Sequence, residues 1–286
     1  MNIKAMAAAF LATILSGLML SGCGLSQTEI SADETAQRIG VLTHMNASEL
    51  KYNELMDDLE NAYRPTKAKL ATQYIYFDNL NTMQMALISR EIDELTTYRC
   101  VADYLSKKNS ELAILPTVHL LRNNFCCALR QGDRRLISDF DQAITEMKED
   151  GTLKELTKKY ILDISGDREP PAAAMPKIPG ADSVKVAVTG DLPPLDLVLA
   201  DDTPAGFNTA VLAEISRRIG KNVQLINVDS TSRAAALVSK RVDVVFWVAI
   251  PKDNAILPDD MDQPEGLALT QPYYEDEIVR MGLVAN

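Results

Sequence analysis

Residues Val184 to Ile226 read VKVAVTGDLPPLDLVLADDTPAGFNTAVLAEISRRIGKNVQLI. An apolar strand is followed by a Gly/Pro turn and a second strand; a turn then closes on Gly206-Phe207, and an amphipathic helix ends at a glycine. That order is how an α/β lobe begins, yet it starts nearly two thirds of the way along a chain of 286 residues.

The pattern continues on both sides. Downstream of the first strand, Lys185 to Thr189, the periodicity predicts a helix over Thr209 to Ile219, a strand over Val223 to Val228, a helix over Ser232 to Ser239 and a strand over Val242 to Val248. Upstream it predicts strands at Ile39 to Thr43, Gln73 to Phe77 and Ile92 to Thr96, with helices at Ser48 to Ala62, Thr82 to Ser89 and Val101 to Lys108. Phe125 to Arg130 reads as extended. Two amphipathic helices follow, Leu136 to Lys148 and Leu153 to Ile161, parted by a turn at Asp150-Gly151. Between the two halves lies GDREPPAAAMPKIPGAD, Gly166 to Asp182. Its four prolines and lack of apolar period exclude an interior strand or helix, so it reads as a linker. Strand and helix alternating in this way imply parallel sheets covered by helices.

The halves also resemble each other. ALISREID, Ala86 to Asp93, and ALVSKRVD, Ala236 to Asp243, share Ala-Leu, Ser, a cation, a β-branched residue and Asp. Polar residues precede both helices as caps, Asn79 to Thr82 in one and Ser230 to Ser232 in the other. Two similar α/β lobes are expected.

The first residues have a different character. Ala5 to Leu20 is apolar apart from Thr13, Ser16 and Gly17, follows a single Lys4, and is too short for a comfortable membrane span, as in a secretory leader. Leu20-Ser21-Gly22-Cys23 is similar to the lipobox of bacterial lipoproteins. Residues 1–22 are thus expected to be a signal peptide, Cys23 a lipidation site and 23–37 a tether. Acyl chains contribute about 0.8 kcal/mol per buried CH₂, so several would hold the chain at a membrane surface.

The net charge is −11 with no basic cluster, which argues against nucleic acid as a partner. Cys100, Cys126 and Cys127 lie in apolar contexts and read as buried free thiols. His44 and His119 have no second ligand at helical or turn spacing, so neither a metal nor another cofactor is expected.

Together these segments resemble the bacterial extracellular solute-binding proteins of family 3, the amino-acid-binding type of ABC importers. The opening stretch with AALVSKRVDVV resembles that family's first lobe. LTQPYYEDEIVRMGL, Leu269 to Leu283, resembles the segment that leaves lobe one for lobe two. RIGVLTHMNAS, MALISREIDELTTYRCVADYLSKKN and FCCALRQGDRRLISDFDQAITEMKEDGTLKELTKKYI resemble the second lobe and the closing helices. The resemblance implies a two-lobed periplasmic-binding-protein-like fold of type II, with second-lobe material at 38–165 ahead of first-lobe material at 183–286. A circular permutation joined through 166–182 explains that order. A truncated tandem needs each of two copies to lose half.

The resemblance implies ligand positions at Thr189, Asp191, Leu192, Ser230, Trp247 and Val248 in lobe one, and at Asn46, Thr97 and Tyr98 in lobe two. Several depart from the family's pattern. The arginine expected about a dozen residues after Asp243 is missing from FWVAIPKDNAIL, the acid expected after the first strand is Thr189, and the Asp expected five residues beyond Asp93 is Tyr98. The helix start near Met45, Asn46 and Ser48 keeps anion-binding N–H groups. A hydrogen bond to a charged group is worth about 1.5–3 kcal/mol, so these losses disfavour an ordinary zwitterion and suggest a more apolar solute. The implied function is a lipid-anchored protein that presents a small organic solute to an ABC permease. A sensor or interaction module with a degenerate site is the alternative. A dehydratase of the same fold is weaker still, because the cleft positions have lost acids and no nucleophile and base pair stands out.

Overall fold

The computed structural model describes residues 36–43, 53, 72–116, 121–164, 168–229, 232–252 and 266–284. The leader, Cys23, the helix expected at Ser48 to Ala62 apart from Asn53, with Asn46 before it, and Ser230 lie outside the described residues.

In chain order the elements are β1 (Gln37–Leu42), β2 (Thr72–Phe77), α1 (Leu80–Ile88), β3 (Glu94–Tyr98), α2 (Arg99–Lys108), β4 (Leu112–Ile114), β5 (Leu121–Arg130), α3 (Arg134–Glu149) and α4 (Thr152–Thr157). A π turn (Lys158–Leu162) follows. Then come β6 (Ser183–Val188), β7 (Asp191–Leu192), β8 (Asp196–Val198), β9 (Pro204–Ala205), α5 (Phe207–Ile219), β10 (Asn222–Asn227), α6 (Arg233–Val238), β11 (Val244–Lys252), β12 (Leu267–Leu269) and β13 (Tyr274–Leu283). Among the described residues, the strands and helices read from periodicity are found within a few residues of their expected ends. The helix expected to run to Ile161 instead widens at Lys158, where the Asp163 N–H bonds back to the Lys158 carbonyl.

One ten-stranded sheet runs β10-β6-β11-β5-β13-β3-β1-β2, with β12 on β5 and β4 on β13. Its two ends repeat one arrangement. β6 pairs in parallel with β10 and β11, and β1 pairs in parallel with β2 and β3. Each end is thus a lobe with its first strand central. The long strands β5 and β13 run antiparallel to each other and join the lobes. β5 pairs with β11, while β13 pairs with β5 through Tyr274 to Ile278 and with β3 through Ile278 to Met281.

The repeat extends to atoms. In lobe two, the Ile92 N–H bonds the Ala86 carbonyl at 3.2 Å, the Asp93 N–H bonds the Arg38 carbonyl at 2.8 Å, and the Asp93 carboxylate accepts the Arg38 N–H at 2.8 Å. In lobe one, Val242 bonds Ala236 at 3.2 Å, Asp243 bonds Lys185 at 2.8 Å, and the Asp243 carboxylate accepts the Lys185 N–H at 3.0 Å. Arg90 and Lys240 take the same left-handed turn, with φ of 63° and 61°. Each Asp ties the end of a helix-to-strand turn to the start of the lobe's first strand.

The linker lies along lobe one. Ala172 bridges Ala205, the Ala173 N–H reaches the Pro204 carbonyl, and the Asn222 side chain holds Ile178 and Ala181. α3 and α4 also lean on this lobe, where Arg218 of α5 reaches Asp150 at 2.7 Å and the Thr152 hydroxyl at 3.1 Å. A core of aliphatic and aromatic side chains runs through both lobes, and a smaller cluster around Ala128, Ala187, Leu237, Val245 and Val248 packs separately. Burying each valine, leucine, isoleucine, phenylalanine or methionine side chain among them stabilises the fold by about 1.5–3 kcal/mol.

Candidate functional site

The lobes meet where the strand ends of β6, β11 and β3 approach one another. After β6 the chain turns through Thr189 and Gly190 into the hairpin of β7, β8 and β9. That hairpin is closed by Gly206, where a Cβ would stand 2.8 Å from the carbonyl oxygens of Pro194 and Leu195. The same two carbonyls accept the N–H groups of Phe207 and Asn208 at 2.9 and 2.7 Å, which starts α5. Phe207 is fully buried, its ring 4.9 Å from that of Tyr274.

Two carboxylates stand in this hairpin. Asp196 is buried and accepts the N–H and the hydroxyl of Thr189 at 2.9 and 3.2 Å. Burial pushes its carboxyl up, against the opposing pull of the Gly190 and Thr189 donors and of the Arg233 charge. Asp191 crosses between lobes, for its Oδ2 accepts the Leu80 N–H, the first of α1, at 3.3 Å. Asn79 caps the same helix by accepting the Thr82 N–H. A lobe-two helix start is therefore satisfied partly from lobe one. Burial raises the Asp191 carboxyl to about 6, opposed by the Leu80 N–H and reinforced by the neighbouring Asp196.

On β11 the register with β5 shifts between Val245 and Val248. This bulge puts Phe246 and Trp247 on one side, with the main core, and Val245 and Val248 on the other, with the smaller cluster. Trp247 sits at φ 50°, a left-handed conformation that a non-glycine residue holds at a cost of about 1–3 kcal/mol. Its indole is 4% exposed, and its Nε1–H has no hydrogen-bond partner among the described residues. The ring meets Tyr98 of lobe two edge-on at 6.1 Å, and Tyr98 meets Phe125 of β5 at 4.7 Å.

Below Trp247 lies a residue the sequence reading passed over. Arg233, the first of α6, is 0% exposed; its guanidinium carbon stands 4.4 Å from the centre of the indole, and its Nη1 donates to the Trp247 carbonyl at 2.7 Å. A cation over a desolvated indole contributes about 2 kcal/mol. The reading sought an arginine after Asp243 and missed one before it. Extending the repeat three residues upstream from Ala86 and Ala236 pairs Met83 with Arg233, and Met83 is fully buried too. A charge standing where the other lobe has a core methionine was the available signal.

The structure thus brings together Thr189, Asp191, Trp247 and Tyr98, and adds Asp196 and Arg233. Leu192 packs into the main core. Val248 points into the smaller cluster, away from Trp247. Thr97 alternates to the face of β3 opposite Tyr98, paired with Val279. Lys252 pairs with Glu275 of β13. Cys100, Cys126 and Cys127 are free and buried, and burial drives the Cys126 thiol up to about 12. Chemically, the arrangement is a cluster of edge-on and tilted aromatic rings, a buried cation and two carboxylates.

No curated protein matches the chain. Among solved structures it is similar to the periplasmic domain of BvgS from B. pertussis (13% identity, 89% of this chain and 38% of that one, TM-score 0.41). It is also similar to a zinc-bound ligand-binding component of an ABC-type import system from Staphylococcus aureus (11%, 86% and 66%, 0.43). A nutrient-binding protein from Burkholderia cenocepacia bound to methionine gives 12%, 87% and 85%, and 0.42. The chain spans 38% and 66% of the first two structures. Residues 184–253, from the first strand of lobe one to just past β11, match the family model of the bacterial extracellular solute-binding proteins, family 3.

Proposed function

We propose that this protein is an extracytoplasmic solute-binding lipoprotein, tethered through Cys23, that delivers a small organic solute, amino-acid-like or more apolar, to an ABC permease. One observation carries the reading: the family 3 match covers the segment from β6 to β11 that supplies Thr189, Asp191, Asp196, Arg233 and Trp247 to the interlobe face. Two lobes joined by two strands suit hinge closure around a solute. The test is a thermal-shift panel of amino acids, short peptides and apolar metabolites, combined with mass spectrometry of whatever survives purification. A true solute at about 100 times its dissociation constant adds ~2.7 kcal/mol of stability. No shift across the panel and no retained compound overturns the reading.

A second reading, a ligand-degenerate sensor or interaction module, is favoured by the crowding of Tyr98, Trp247 and Arg233 into the place between the lobes. It predicts that silent panel.

The lobe order belongs to the same proposal. The segment 166–182 is read as the bridge over the ends of an ancestral lobe one, with the new break between β13 and β1. A chain re-joined so that 183–286 precedes 38–165 should fold with a similar melting temperature. Failure of the re-joined chain to fold counts against permutation.

A further inference from the structure

We propose that Arg233 is a resident cation of the interlobe site, a side chain occupying the place of a ligand, and that the site takes a guanidinium or ammonium ion once that side chain is removed. The inference rests on reading the interlobe face as a solute site. Three observations lead to it. The equivalent position of lobe two, Met83, packs as ordinary core, so nothing in the fold of a lobe demands a charge there. The guanidinium has the surroundings of a bound organic cation, with an indole face at 4.4 Å and a carbonyl acceptor at 2.7 Å. The residue that covers it, Trp247, has a left-handed backbone at the bulge, and its ring meets Tyr98 of the other lobe edge-on. Strain of this kind persists where the surroundings over-determine it, and clusters at ligand clamps.

Arg233 therefore joins α6 through Trp247 to Tyr98, a line of contacts running from one lobe to the other. A solute entering this place has to displace the guanidinium from the indole face, and the class that can replace it is a flat or compact organic cation.

The chain has a single tryptophan, so its emission reports on Trp247 alone. Arg233→Ala is titrated with ethylguanidinium, with N-ethylurea as the neutral isostere and wild-type protein alongside. The expected result is a saturable rise of a few degrees in melting temperature and a matching change in Trp emission, in the variant with the cation only. An Ala variant that folds but responds to neither compound, or to both alike, overturns the proposal, as does an equal response of wild-type protein. If Arg233→Ala does not fold, Arg233→Lys and Arg233→Gln decide by acrylamide quenching. Lys should keep Trp247 shielded and Gln should expose it several-fold; equal shielding in both overturns the proposal. Rescue with a silent solute panel sinks the delivery function and leaves this inference standing, whereas a panel hit without rescue does the reverse.

Discussion

The two lobes are built to one plan and finished differently. Both use the same turn from helix to strand, with a left-handed cation and an Asp that holds the lobe's first strand at matching distances. In lobe two that Asp, Asp93, pairs with the exposed Arg38, whose guanidinium holds the carboxyl below its ordinary value. In lobe one Asp243 is met by Arg130 of β5, whose Nη1 also caps the carbonyls of Leu237 and Val242 at 3.1 and 2.7 Å. The joint is local in one lobe and tied to the connecting strand in the other. The buried position upstream diverges further, from Met83 to Arg233. A shared backbone plan thus leaves the strand ends and the first turn of the helix free to specialise, and these are the parts that face the other lobe.

Exchanging the lobes' residues tests this most severely. Met83→Arg places a cation among Ile92, Leu95 and the backbone of Gly40 with none of lobe one's compensation, and should cost about 4 kcal/mol or prevent folding. Tolerance of that change in chemical denaturation would mean that the two positions are interchangeable and the comparison is empty. Asp243→Ala should follow at about 2 kcal/mol, because it removes a charge-assisted bond from the part-buried Arg130, which keeps Asp133 and two carbonyls, and leaves the Lys185 N–H without its carboxylate. Its counterpart Asp93→Ala should cost no more than ~1 kcal/mol, since that ion pair is exposed and screened. Equal losses would show that β5 adds nothing to the lobe-one joint.

Between these two in size lies a test of the contact across the lobes. The Asp191 carboxyl is raised from 3.8 to about 6 by burial. A raised acid binds its proton more tightly in the folded state, so folding stability is lost as pH rises from about 4 through 6. Asp191→Asn keeps an acceptor for the Leu80 N–H and removes the buried charge. It should stabilise the protein by about 1–2 kcal/mol at pH 7.5, below the ~3 kcal/mol ceiling for such a displacement, and have little effect at pH 4. A gain independent of pH in thermal melts would assign the effect to something other than ionisation.

Much of the fold was legible because strands and helices write their periods locally. Lys185 to Thr189 and Ile39 to Thr43 were read as first strands, and both are central in their lobes. The lengths and partners of β5 and β13 were less legible, since a ten-residue antiparallel crossing depends on pairing between residues some 150 positions apart, which leaves no local mark. Of the candidate site positions, some could be placed from the sequence. Thr189 and Asp191 were named from position and stand together at the β7–β9 hairpin, and Trp247 and Tyr98, named with them, touch across the lobes. Val248 and Thr97 were named with them but face elsewhere, Val248 because a bulge resets the alternation and a bulge cannot be counted from sequence. Arg233 escaped because a buried arginine in a short helix looks, in sequence, like a solvated one.

The joining of both lobes through β5 and β13 has a mechanical consequence. Because the hydrogen-bonded sheet continues from one lobe into the other, relative motion has to be taken up as twist and bend in two paired strands rather than as free rotation about a loop. Such a joint behaves as a torsion spring, with a restoring force that grows with displacement, and its stiffness is set by how firmly the two strands grip each other.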